Sequence, residues 1–275
     1  MPVFDTPGLV TLEIRLPAGH VTVNTADTPS TEVELISHGD RGEEALEQIL
    51  VSAREQPGGH VVSVEQRERF RWGPISINWG HEVEVRITCP LGSDLRFDGA
   101  SCDLGAAGRF GKVEAKTASG GLRLGEVSGK LQAKTASGDV SVQVIEAEAA
   151  VVTVSGDVEL GRVDAALNIR TVSGDVELAV VRAPVTVATT SGDVAVRAVE
   201  RGEVRIQTVS GEARVGVGEG TAVWLDASSV SGELRSELGT LEEKVSDTSG
   251  EVVPLRVKTV SGDVTFVRGV VGAGV

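Results

Sequence analysis

The chain has no tyrosine, one methionine, two cysteines and only 3% aromatic residues, and each scarcity excludes something. A conventional globular core draws bulk from aromatic rings, and this one cannot. Cys89 and Cys102 are too few for a disulfide scaffold and need no function of their own. No stretch approaches the roughly 20 apolar residues of a membrane-spanning helix. Cations are short as well: 26 Lys+Arg face 40 Asp+Glu, a formal net charge of −14. That balance argues against a surface tracking phosphates, so no nucleic-acid partner is expected. The opening Met1-Pro2-Val3-Phe4-Asp5 lacks the basic and apolar regions of a secretory leader. The expected location is cytoplasmic, with any envelope association made through a partner.

What is plentiful points one way. Among 275 residues there are 34 glycines and 46 valines, which together read as β-structure with many turns. The dipeptide Ser-Gly (once Ser-Cys) recurs with its serine at 101, 119, 137, 155, 173, 191, 210, 231, 249 and 261. The interval is 18 five times in succession, then 19, 21, 18 and 12. The consensus is clearest in Thr171-Val172-Ser173-Gly174-Asp175-Val176-Glu177-Leu178. For that coil the expected core positions are Val172, Val176 and Leu178, then Val181, Val185 and Val187. The second triplet is the first shifted by nine, so each 18-residue coil holds two nine-residue halves.

Each half contains one apolar-x-apolar pair, a short half-buried strand, and one corner of Ser, Gly and Asp. The expected fold is all-β: a two-sheeted parallel β-solenoid of about nine coils over residues 95–275. Its thin core suits Val, Leu and Ala. The corner glycines supply either positive φ or close approach between stacked corners. Extra residues of the 19- and 21-residue coils fall at the second corner, before Val204 and Leu225. Near the end the pattern decays, and an open edge carrying Val264 and Phe266 would invite strand pairing.

Residues 1–94 lack the repeat and read as a β-rich cap continuous with the solenoid. Short strands are expected over Val10–Leu16, His20–Thr25, Glu32–Ser37, His60–Glu65, Ile75–Trp79 and Glu82–Thr88. One helix is expected near 42–54, with Leu46, Ile49, Leu50 and Ala53 on one face.

The phrases Thr135-Ala136-Ser137-Gly138-Asp139-Val140 and Thr171-Val172-Ser173-Gly174-Asp175-Val176 resemble a bacterial family of β-strand-repeat proteins. So do Gly220-Thr221-Ala222-Val223-Trp224-Leu225, Val230-Ser231-Gly232-Glu233-Leu234 and the opening Phe4-Asp5-Thr6-Pro7-Gly8. It is the toastrack-type family, also called "putative adhesin", a domain of unknown function. The resemblance covers nearly the whole chain. It implies a β-solenoid-like fold without established catalytic residues, and some relatives are linked to the cell envelope or its stress responses.

The acidic column Asp139, Asp157, Asp175 and Asp193 stacks at the spacing of adjacent strands, about 5 Å. A calcium β-roll would need a second glycine and acidic residues on both corners, so a solvated column is expected. Thr135, Thr153 and Thr171, each two before a serine, form a parallel hydroxyl ladder beside it. With Trp72 and Trp79, which flank Gly73-Pro74, these threonines and aspartates form the candidate interaction surface. All four histidines, His20, His38, His60 and His81, precede the repeat, so no repeat serine has an evident general base. No catalytic, cofactor-binding or metal-ligating residue is assigned. The expected function is a non-enzymatic scaffold or interaction protein with a protein or cell-envelope partner and a possible weak homodimer. The rival is a polysaccharide-active β-helix enzyme, a lyase or hydrolase.

Overall fold

The structure, a computed structural model, describes residues 2–37, 46–66, 83–238 and 252–269. It is all-β, and two compact units divide the chain, Met1–Ser141 and Val142–Val275.

In the first unit the long strand Val10–Ala26 lies parallel to Gly59–Gln66 and Val83–Pro90 on one side and Asp94–Phe110 on the other. Leu12 sits in register between Val62 and Leu95, Ile14 between Val64 and Phe97. Val21 sits between Val85 and Leu104. All of these side chains are buried, as alternation requires of a strand with one face on the core. The 18-residue stacking continues as Leu95↔Val113↔Leu131 and Phe97↔Ala115↔Ala133, a large ring followed by two small residues. Antiparallel strands close the other side. Val3–Asp5 pairs with Ser30–Ser37, where the buried Thr6 and Thr31 hydroxyls meet at 2.8 Å.

The helix expected near 42–54 is not borne out. Residues 42–45 lie outside the described residues, and Ile49–Gln56 is a strand antiparallel to Gly59–Gln66. Leu46, Ile49, Leu50 and Ala53 do fall at helical spacing, but Ile49, Val51 and Ala53 alternate equally well. Pro57-Gly58, with Gly58 at φ 95°, is turn chemistry that folds the segment back on Val61–Val64 as a hairpin. The expected strand Ile75–Trp79 also lies outside the described residues.

The second unit holds two parallel ladders. One runs Val158–Val163, Val176–Val181, Val194–Val199, Ala213–Val217. The other runs Ala149–Val152, Leu167–Arg170, Val185–Ala188, Val204–Gln207. Val158, Leu160, Val163, Leu167 and Ile169 are buried, and so are their counterparts 18 residues on. The extra residue of the 19-residue coil sits at Arg201-Gly202, a corner where Gly202 has φ 86°.

One expected core position is wrong. Val154, Val172, Val209 and Val260, each just before the corner serine, are 44–49% exposed. Alternation breaks at the corner: the threonine before each valine turns inward instead, and the valine points out.

The order of coils also departs from the order of the chain. Val204–Gln207 pairs with Leu255–Lys258, within strand Val253–Ser261, and Ala213–Val217 pairs with Val264–Arg268. Val223–Ser231 and Leu234–Ser236 stack on the far side of that last coil. The coil 253–268 is therefore inserted, and Val264 and Phe266 are buried rather than forming the open edge expected from the sequence. Residue quality explains the exchange. Leu255, Val257, Val264 and Phe266 fill an interior slot on both ladders, whereas Trp224, Val230 and Leu234 remain exposed at the outer one.

Candidate functional site

The recurring corner concentrates the polar residues singled out by the sequence. At Thr171–Asp175, the Thr171 Oγ1 accepts the Gly174 N–H at 3.1 Å, and the Ser173 N–H donates to the Val154 carbonyl. The same threonine-to-glycine bond recurs at Thr117, Thr135, Thr153 and Thr189, with distances of 2.8–3.1 Å. Thr135, Thr153 and Thr171 are thus buried corner locks, not members of an interaction surface. The physical reason is that a tight corner points one backbone N–H inward, and a buried donor needs an acceptor.

The glycine column serves close approach. Gly120, Gly138, Gly174 and Gly192 do not have positive φ, but a Cβ at Gly174 would overlap the Gly156 carbonyl oxygen. The neighbouring coil leaves no room for a side chain.

Asp139 in the first unit is exposed, and so are Asp157, Asp175 and Asp193, which follow one another on the stacked coils of the second. The carboxylates of Asp157, Asp175 and Asp193 are occupied by backbone. Asp157 Oδ1 accepts the Asp175 N–H at 2.9 Å, Asp175 Oδ1 the Asp193 N–H at 2.8 Å, and Asp193 Oδ1 the Glu212 N–H at 2.7 Å. Each of these three aspartates therefore satisfies the coil that follows it, a charge-assisted bond stronger than a neutral one. Among the described residues, no three His, Cys, Asp or Glu side chains converge as a metal ion requires. Trp72 and Trp79 lie outside the described residues.

Beside its exposed serine and aspartate, the corner turns one mostly valine position outward. Val154, Val172, Thr190 and Val209 follow one another coil by coil, tied by backbone bonds such as Thr190 N–H to Val172 carbonyl. Val260 and Val230 continue the line in the order of the stack, with Val230 83% exposed. Sequence reasoning placed these valines in the core. The signal that separates Val154, Val172, Val209 and Val260 is the buried threonine immediately before each one; Val230 follows Ser229 instead.

Burial pushes the Cys89 thiol up to about 11 and, with a smaller push from Asp103, the Cys102 thiol up to about 12. Both sulfurs are core atoms with no thiolate character at neutral pH.

Comparison with known proteins gives the following. No curated protein matches. A solved structure described as "a putative cell adhesion protein from Clostridium sporogenes" aligns with 10% identity over 95% of this chain and 93% of that one, with a TM-score of 0.26. The model of the family "Toastrack DUF4097" matches residues 10–266. With its repeats, its stacked corners and that match over nearly its full length, the chain belongs to the toastrack DUF4097 family.

Proposed function

We propose that the protein is a non-enzymatic interaction scaffold whose second unit presents its apolar corner ridge to a protein partner, in the cell or at its envelope. One observation carries this reading: Val154, Val172, Val209, Val260 and Val230 are 44–83% exposed along one line of stacked coils, with Thr190 between Val172 and Val209. A regular line of β-branched side chains on a rigid backbone loses little entropy when covered. The hydroxyls and carboxylates that recur beside it are held by backbone N–H groups, so the repeat's polar chemistry serves the stack.

The test is the double variant Val172→Asp/Val209→Asp, compared with wild type by cross-linking in native lysate and quantitative mass spectrometry. Both positions are solvent-facing, so the thermal midpoint should hold while cross-linked partners fall at least fivefold. An unchanged set of partners, with the fold intact, would rule out the ridge.

A further inference from the structure

The outward face of the second ladder carries a different chemistry. In register across three strands lie Arg205, Arg256 and Asp226, and one step along lie Gln207, Lys258 and Ser228. Arg205, Gln207, Asp226, Arg256 and Lys258 line an open cavity of about 290 Å³. Trp224, two residues before Asp226 on the same strand, is half exposed and meets the cavity through Arg256, whose guanidinium lies 5.6 Å from its ring centroid.

The cations are held in place rather than neutralised. Glu203 accepts from both Arg205 (3.0 Å) and Arg256 (2.8 Å), and Asp226 lies 4.0 Å from Arg256. Lys258 is exposed and has no ion pair among the described residues. Three cations against two carboxylates leave one positive charge in a chain whose formal charge is −14. An electropositive pocket on an acidic protein selects an anion. The half-exposed indole beside it adds a flat apolar surface that a bare inorganic anion cannot use.

We propose that this pocket binds a carboxylate-bearing sugar ring, a uronic-acid unit of an acidic glycan. Lys258 and the outer edges of Arg205 and Arg256 take the carboxylate. Trp224 takes the apolar face of the ring, and Gln207 and Asp226 bond its hydroxyls. The pocket is a few polar groups converging beside an aromatic on a rigid sheet, the usual form of a small-ligand site. It is shallow and its charges are solvated, so one unit binds with a Kd on the order of 0.1–1 mM. The site lies on the sheet face beside the corner ridge, Gln207 and Lys258 each standing two residues before a ridge valine, but it uses none of the ridge valines and does not depend on the ridge having a partner.

Trigalacturonate, the corresponding neutral galactotriose and inorganic phosphate are the probes, titrated into the full chain by calorimetry and saturation-transfer NMR. Trigalacturonate should bind, more weakly as salt rises, and the neutral trisaccharide at least tenfold less well. Phosphate at equal concentration should displace little of it. Lys258→Gln and Trp224→Ala, both at exposed positions, should each weaken binding at least fivefold without moving the thermal midpoint. No binding of trigalacturonate, equal binding of the neutral sugar, full displacement by phosphate, or undiminished binding by both variants would each overturn the proposal.

Discussion

Replacing Thr171 and Thr259 separately by valine tests the corner's polar accounting, because the two threonines look alike in sequence and differ in bonding. Both are at least 94% buried. Thr171 Oγ1 accepts the Gly174 N–H, but Thr259 Oγ1 has no partner among the described residues. At that corner the Gly262 N–H goes to the Ser231 carbonyl instead. Thr171→Val leaves a buried N–H unsatisfied, a loss of about 1–3 kcal/mol, which an added methyl offsets by about 0.8 kcal/mol. Thr259→Val removes a hydroxyl whose burial already costs roughly 1–3 kcal/mol and gains the same methyl. Thr171→Val should therefore destabilise by about 0.2–2 kcal/mol while Thr259→Val is stabilising, a gap of at least about 1 kcal/mol. Urea unfolding followed by far-UV circular dichroism reads it as opposite shifts in midpoint at constant slope. Equal destabilisation by both variants would refute the assignment of the threonine as acceptor for the glycine.

Four further outcomes follow from the same geometry. In hydrogen exchange, the amides of Val253–Ser261 should be better protected than those of Val223–Ser231 despite lying nearer the C-terminus, because the latter strand is the outer one; the reverse order would contradict the inserted coil. Gly174→Ala should cost several kcal/mol and Gly121→Ala little, since a Cβ at Gly121 meets nothing nearer than 3.7 Å; similar thermal shifts would remove close approach as the reason for the column. Millimolar Ca²⁺ should leave the thermal midpoint unchanged, because the aspartate Oδ1 atoms already accept backbone N–H groups; a rise of ten degrees would show a cation site. Cys89 and Cys102 should resist thiol reagents at pH 8 until unfolding. Their raised thiol values mean that the stability they add is whole below about pH 9 and falls as pH climbs towards 11–12; rapid labelling of the native chain would show that the sulfurs are not buried as described.

Much of this architecture is legible because stacking places every eighteenth residue in one environment. Val158, Val176 and Val194 are alike in sequence since they are alike in register. The period therefore reports the coil length directly. It does not report which residues turn inward at a corner, where alternation lapses: Thr171 is buried, Val172 and Ser173 are exposed, and Gly174 is buried again. Hydrophobicity alone put Val172 in the core and Thr171 on the surface, and the backbone's demand for an acceptor reversed both. The anion pocket was hidden for another reason. Arg205 and Arg256 are distant in the chain and become neighbours only through the inserted coil. A trace was visible in the near-identity of Val204-Arg205-Ile206-Gln207-Thr208-Val209-Ser210-Gly211 and Leu255-Arg256-Val257-Lys258-Thr259-Val260-Ser261-Gly262.

That near-identity also explains where the inserted coil carries its cost. Thr208 and Thr259, facing each other across the junction, are the two buried threonine hydroxyls without partners among the described residues. Gly211 N–H has turned to the Ser261 carbonyl, and Gly262 N–H to the Ser231 carbonyl, so the usual lock is open on both sides. Two orphaned hydroxyls cost roughly 1–3 kcal/mol each. Against them stand Leu255, Val257, Val264 and Phe266, each stabilising by about 1.5–3 kcal/mol when fully buried. Placed on the outer edge, as Trp224 and Leu234 are now, those four would forfeit a large part of that burial. The interior slot therefore goes to the coil with the stronger apolar pairs, and the order of the chain yields to it.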